Sequence, residues 1–156
     1  MLKFLKKEFL LWLTGGAIYV LIELAWRGYS HWSMFILGGM CFILIGLLNE
    51  LWSWDTPIWK QMLSGTVIVT ILEFITGCVV NLLWNMNVWD YSNLPFNILG
   101  QVCLLFSVLW FFLSAVAIML DDYLRWKWFD EEHPRYRLIS GGEVFYPFGN
   151  GQKFCK

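Results

Sequence analysis

Two glutamates lie inside long apolar stretches of this sequence, at matching places in two similar phrases. The phrase LTGGAIYVLIEL (residues 13–24) resembles LSGTVIVTILEF (residues 63–74) fifty positions later, and each carries one glutamate, Glu23 or Glu73. An ionisable residue within a membrane span is costly and by default indicates a functional site. A carboxylate at such a depth can bind a proton, a cation or the cationic group of a solute. The pattern favours a polar site where two internal repeats meet.

Other polar residues near these glutamates complete the predicted site. Arg27 is four residues after Glu23, on the same helix face, and is expected to pair with it. Since one arginine serves two glutamates, Glu73 is left to be protonated, to bind a cation or to meet a hydrogen-bond donor. The remaining residues that we assign to a solute-binding or ion-binding site, as donors or as lining of its entrance, are Tyr29, His31, Asn81, Asp90 and Tyr91.

A structural interpretation of the same residues stays open. In that case Glu23 and Arg27 only hold helices together, and Glu73 is neutral and hydrogen-bonded between helices. Duplication of a glutamate at matching depth favours the site modestly, although duplication also preserves structural polar bonds.

Composition indicates a membrane protein. Of 156 residues, 58% are hydrophobic, 19% are aromatic and only 15% are charged, whereas about 25% are charged in a soluble domain. Aromatic residues are enriched at membrane interfaces. The net charge of -1 excludes nucleic acid as a partner.

Four segments are long and apolar enough to be transmembrane helices, at residues 9–26, 33–51, 59–84 and 98–120. The third is long for a bilayer, or it breaks near Gly77. Basic residues flank the spans on one side in ten of eleven cases, and Arg27 is the exception. Both termini are therefore expected in the cytoplasm. The residues on that side are Lys3, Lys6, Lys7, Lys60, Arg125, Lys127, Arg135, Arg137, Lys153 and Lys156.

The spans are expected to form two parallel helical-hairpin repeats, at about 9–51 and 59–120. A second repeated phrase supports this, because residues 29–41 resemble residues 91–103, with Gly38 matching Gly100 inside spans two and four. The second repeat has twelve extra residues between its glutamate and Tyr91, which we expect to form an outer excursion.

The predicted fold is therefore an all-α membrane protein with a membrane domain at residues 1–124 and a cytoplasmic or interfacial tail at 125–156. In the tail, residues 135–139 and 144–146 flank Ser140-Gly141-Gly142-Glu143, which predicts a small β-hairpin.

The sequence lacks the motifs of several kinds of enzyme and of common metal sites. The sequence contains no P-loop, no HExxH, no Cys/His metal spacing and no G-x-S-x-G, so neither a cofactor nor a metal is expected, and the chain is not expected to be an enzyme. A membrane-embedded enzyme that uses Glu23 or Glu73 with His31 is the less favoured alternative. The cysteines are interpreted as packing residues, with Cys155 as a free thiol.

Several strings resemble a known family, over roughly residues 14–138. They are RGYSHWSM (27–34) with LGG (37–39), EFITG (73–77) with Asn81, and WDYSNLPFN (89–97) with Gly100-Gln101. They resemble the ABC-transporter permease family of type IV (CmpB-like). The resemblance implies a multi-pass protein of the bacterial plasma membrane that works with a separate ATPase subunit.

We therefore expect a permease-like transport component in the lipid bilayer, with an outward-facing polar pocket at the repeat interface. Four spans enclose little room, so a homodimer or a hetero-oligomer is expected. The alternative is a non-transporting scaffold or accessory subunit.

Overall fold

The computed structural model describes residues 2–149, apart from the side chains of Leu2, Asn49 and Glu50. Cys155, Lys153 and Lys156, for which the sequence made predictions, lie outside the described residues. Within residues 2–149 the chain is mostly helical, with small β-hairpins in the α3–α4 connection and in the tail.

Four helices run through the described chain in an up-and-down order. They are α1 (Leu2–Arg27), α2 (Trp32–Leu51), α3 (Ile58–Gly77) and α4 (Leu104–Phe129). A π-helical segment, Cys78–Leu83, continues α3. Three of these helical stretches are long and apolar enough to cross a membrane: Lys3–Arg27, Ile58–Leu83 and Leu104–Phe129. Over its described side chains α2 is a shorter apolar helix, Trp32–Leu48. The all-α membrane class is confirmed.

The helices pack as two antiparallel hairpins, α1 with α2 and α3 with α4. Glycines allow the close approach within the first hairpin. A Cβ atom at Gly38 of α2 would overlap Tyr19 of α1, and one at Gly15 would overlap Phe42. Helices that cross at small residues bring their backbones close together and gain van der Waals contact. In the second hairpin, Gly65 of α3 lies against Ser114 of α4 in the same way.

The buried core lies mainly between α2, α3 and α4. It includes Leu37, Cys41, Ile45, Val69 and Ile118, each at most 7% exposed. Many apolar side chains on the outer faces are exposed instead, as a lipid-facing surface requires.

The α3–α4 connection, residues 84–103, differs from its prediction. Span four was predicted to begin at residue 98, but Asn97–Ile98 (β1) pairs with Val102–Cys103 (β2), and α4 begins at Leu104. Gly100 was placed in a span as the equivalent of Gly38. That placement is wrong, because Gly100 occupies the turn of this hairpin with φ +67°. A left-handed glycine ends a helix or forms a turn rather than continuing a span.

The third span is long and does not break near Gly77, because the helical stretch Ile58–Leu83 is continuous and only changes from α-helix to π-helix at Cys78. Such π-helical turns inside helices often accompany functional positions. Val80 and Asn81 of this π-helical segment are buried.

The tail hairpin is confirmed. Tyr136–Arg137 (β3) pairs antiparallel with Val144–Phe145 (β4). It is held against the α2–α3 connection, because Tyr136 packs edge-on against Trp54 and Arg137 forms an ion pair with Asp55 at 2.9 Å. The boundary predicted after residue 124 stays a prediction, and α4 continues across it to Phe129.

Candidate functional site

Glu73 is buried near the end of α3, with only 2% of the residue exposed. Its Oε1 accepts a hydrogen bond from the Tyr91 hydroxyl at 3.1 Å, and its Oε2 accepts one from the Trp110 indole N–H at 2.9 Å. Both donors are neutral, and within the described residues no Lys or Arg pairs with this carboxylate. The arrangement places a carboxyl group in an apolar interior with hydrogen bonds but without a countercharge.

Aromatic rings enclose the Glu73 carboxyl group. Trp110 stacks on Tyr19 of α1 with ring centroids 5.9 Å apart, and Tyr91 stacks on Phe106 of α4 at 4.5 Å. Such stacking fixes ring orientation. The two donors are therefore positioned by α1 and α4 rather than by the helix that carries Glu73.

Tyr91 lies in the α3–α4 connection, outside the helical spans. Burial, with the neighbouring Glu73 carboxylate as a second cause, raises the pKa of the Tyr91 hydroxyl above its ordinary value. The hydroxyl therefore keeps its proton at physiological pH and remains able to donate. The prediction that Tyr91 meets Glu73 as a donor agrees with this contact.

Glu23 has a separate set of partners. It accepts from Arg27 Nη2 at 2.6 Å and from the Ser30 hydroxyl at 2.5 Å. The ion pair expected from the four-residue spacing is thus present. Because Arg27 supplies a full countercharge, Glu23 differs electrostatically from Glu73 although the two occupy equivalent places in the repeated phrase.

Val88 connects the Glu23 pair to the other hairpin. Its carbonyl oxygen accepts from Arg27 Nη1 at 3.0 Å, and its N–H donates to Asn81 Oδ1 at 2.7 Å. Arg27 also lies over the Tyr29 ring, 4.7 Å from its centroid. One backbone position in the connection therefore joins α1 to the end of the α3 stretch.

Asn81, in the π-helical segment, holds the α3–α4 connection in place through hydrogen bonds. Besides its bond from Val88, its Nδ2 donates to the carbonyl of Trp89 at 3.0 Å and to Gln101 Oε1 at 2.8 Å. The indole of Trp89 in turn donates to the Gln101 carbonyl at 2.9 Å. Asn81 and Gln101 are at most 5% exposed. Asn81 therefore orders the connection that carries Tyr91, and within the described residues its hydrogen bonds go to that connection and not to Glu73.

The other predicted site residues have local roles in the structure. His31 is the N-cap of α2, where its Nδ1 accepts from the backbone N–H of Ser33 at 3.3 Å. Asp90 is exposed and accepts from the N–H and the hydroxyl of Ser92, both at 2.8 Å. Those hydrogen bonds lower the pKa of Asp90. Neither residue contacts a glutamate of the predicted site, and their assignment to it stays a prediction.

Sequence reasoning missed Trp110, Ser30, Val88 and Gln101. Trp110 stands in an apolar helix, where a tryptophan is usually interpreted as packing or as part of an aromatic belt. Val88 acts through its backbone, which no side-chain motif reveals. Gln101 gave the one usable signal, because it lies inside the predicted span at residues 98–120, and a glutamine buried in an apolar segment needs hydrogen-bond partners.

A second buried polar cluster, also missed, lies at the end of the bundle that carries the start of α1 and the tail hairpin. Arg125 of α4 donates from Nε to Asp121 at 2.6 Å, and its two Nη atoms contact Glu8 of α1 at 3.0 and 3.2 Å. Asp122 accepts from the Tyr136 hydroxyl at 2.6 Å. Burial, with Asp122 as a second cause, raises the pKa of Tyr136. The cluster ties α1, α4 and the tail hairpin together.

The fold and its apolar surface define a helical multi-pass membrane protein with carboxyl groups inside it. The sequence matches the family described as "Putative ABC-transporter type IV" over residues 15–138. That match covers most of the chain, and the protein belongs to this family. The resemblance drawn from the residues is thereby confirmed. No solved structure matches the chain.

Proposed function

We propose that the protein is a membrane transport component in which Glu73 binds a proton or a small cation. The family supports a role in transport. The observation that carries the proposal is the Glu73 carboxyl group, 2% exposed within a span and held by two neutral donors. An uncompensated charge in such a place is costly, so the group is stabilised by taking up a proton or a cation.

The Tyr91 hydroxyl suits both states of Glu73. It donates to a carboxylate, and after a rotation of its O–H bond it accepts from a protonated carboxyl group. The Trp110 N–H donates in either state. Hydrogen bonding at Glu73 can therefore be kept when a proton or a cation enters and leaves.

Glu23 has the supporting role in this proposal. Arg27 neutralises it, and the same guanidinium holds Val88 in the connection above Glu73. Glu23 thus positions the connection, and Glu73 is the residue that binds. Glu23 and Glu73 are further proposed to be equivalent residues of two helical-hairpin repeats.

Proton flux into pyranine-loaded proteoliposomes under an imposed potassium diffusion potential tests this function. Glu73→Gln keeps the size and an acceptor oxygen but removes the titratable group, so flux should fall to the level of empty liposomes. Glu143→Gln, an exposed carboxylate on the tail hairpin, is the matched control and should keep full flux. A flux of Glu73→Gln that equals that of the unsubstituted protein and exceeds that of empty liposomes would rule out Glu73 as the binding group.

The accessory-subunit alternative is favoured by one observation, the completeness of the hydrogen bonds at Glu73. In that case the unsubstituted protein gives no flux above that of empty liposomes, and Glu73→Gln only lowers the melting temperature. Measuring both quantities on the same reconstituted samples separates the two functions.

The proposal includes a separate ATPase subunit, as the family description supports. The tail hairpin offers it a surface, because Leu138 is 64% exposed and Ile139 is 71% exposed at its turn. A bacterial plasma membrane, cytoplasmic termini and assembly as a homodimer or hetero-oligomer belong to the same proposal. Among the basic residues that the structure describes, Arg27 alone lies at the end of the bundle opposite the start of α1. This distribution supports a cytoplasmic location for the end that carries the start of α1.

A further inference from the structure

We propose that a cavity at the end of the bundle that carries the start of α1 and the tail hairpin binds a small primary alkylammonium ion. The cavity has a volume of about 430 Å³ and is separate from the Glu73 site. Its lining comes from α1, α2, the α2–α3 connection, α4 and the segment that follows α4, and consists of Phe4, Lys7, Gly46, Trp54, Asp122, Arg125, Glu131 and Glu132.

The charges around the cavity favour a cation. Three carboxylates and two basic side chains line it. Two further carboxylates, Glu8 and Asp121, lie just behind the lining, both bound to Arg125. With Arg135, whose guanidinium lies 5.7 Å from the ring of the lining residue Trp54, carboxylates exceed basic groups by two among these described residues, and the resulting negative potential attracts positively charged solutes.

Asp121 supplies the second observation. It is 0% exposed, its Oδ2 is bound by Arg125, and its Oδ1 has no hydrogen-bond partner in the described structure. The carboxyl group lies directly against Gly46, a lining residue, where a Cβ atom would overlap it. A buried carboxylate oxygen without a partner is costly, and a donor that arrives from the cavity beside Gly46 would satisfy it.

The lining also contains an internal example of the proposed ligand. The primary ammonium of Lys7 lies 5.4 Å from the centroid of the Phe4 ring and 2.6 Å from Glu131 Oε1. An aromatic face beside a carboxylate is the usual environment for recognising ammonium groups. Trp54 and the exposed Glu132 also line this cavity, and the Trp54 ring already has one cationic group near it, the guanidinium of Arg135 at 5.7 Å.

The chemistry favours an alkylammonium over a metal ion. Within the described residues no group of three or more His, Cys, Asp or Glu side chains is arranged to hold a metal. An ammonium needs fewer acceptors, since it has three N–H donors, and its alkyl part can lie against the aromatic walls.

Isothermal titration of the full-length protein with n-propylammonium chloride tests the proposal, with 1-propanol and sodium chloride as matched neutral and inorganic titrants. Saturable binding is expected for propylammonium alone. Asp121→Asn and Glu132→Gln should each weaken binding about tenfold or more, because each removes a charged acceptor. Glu143→Gln should bind like the unsubstituted protein.

The outcomes separate this site from the Glu73 site. Glu73→Gln should leave propylammonium binding unchanged, so the two proposals can fail independently. If Asp121→Asn does not fold, Glu132→Gln still decides, because Glu132 is exposed and makes no hydrogen bond or ion pair within the described residues. Equal binding of propylammonium and sodium, or unchanged affinity in Glu132→Gln, would overturn the proposal.

Discussion

Glu73 and Glu23 show how residues at equivalent places in a repeated phrase acquire different chemistry. Glu23 meets a guanidinium four residues away, whereas Glu73 meets a hydroxyl and an indole from other elements. The pairing of Glu23 could be predicted from spacing alone, because neighbours on one helix face follow from helix geometry. The Trp110 contact could not, since it depends on how α3 and α4 pack.

Removing the indole donor should destabilise the protein. Trp110→Phe keeps an aromatic ring against Tyr19 but leaves Glu73 Oε2 without its N–H partner, at a cost of about 1–3 kcal/mol. Thermal unfolding in detergent measures the loss. Trp128→Phe is the matched control, because Trp128 is 51% exposed. Equal melting temperatures for the two variants would show that the Trp110 bond contributes nothing.

At the scale of elements, length and hydropathy predicted both ends of α2 and the start of α3 to within one residue. The predicted end of the third span, at residue 84, falls one residue after the π-helical segment that continues α3. The predicted start of α4 was wrong, because residues 98–103, the end of the second repeated phrase, were predicted to lie in the span. Gly100 takes a left-handed conformation there and turns the chain. The connection is ordered by buried amide side chains, which hydropathy does not detect.

The connection should loosen when its central amide is removed. Asn81→Leu deletes the acceptor of the Val88 N–H and the donor to Trp89 and Gln101. Hydrogen exchange of residues 86–92 should become faster by about tenfold or more, as expected for the loss of a buried hydrogen bond. Asn93→Leu, an exposed position in the same connection, should leave exchange unchanged. Unchanged exchange in Asn81→Leu would contradict this role.

At the scale of the molecule, two polar centres lie at opposite ends of a largely apolar bundle. The Glu73 site faces the α3–α4 connection, and the Arg125 cluster faces the start of α1 and the tail hairpin. The sequence predicted the first from two glutamates in apolar runs. It did not predict the second, because Glu8, Asp121 and Arg125 flank spans, where charged residues usually meet water or headgroups.

Thiol labelling of cells tests which end faces outward. On a background with Cys155→Ala, Asn93→Cys should react with a membrane-impermeant maleimide in intact cells, whereas Glu143→Cys should react only after permeabilisation. This follows from the excess of basic residues at the terminal end. The background protein without either substitution is the control. The opposite labelling pattern would reverse the proposed orientation.

The most direct test of the central claim is an infrared titration of the protein in membranes. If Glu73 exchanges a proton or a cation, the difference spectrum between acidic and alkaline pH, or with and without the cation, contains a carboxyl band that Glu73→Gln lacks. Glu23→Gln should retain that band. Identical difference spectra for the unsubstituted protein and Glu73→Gln would contradict the claim that Glu73 is the binding group.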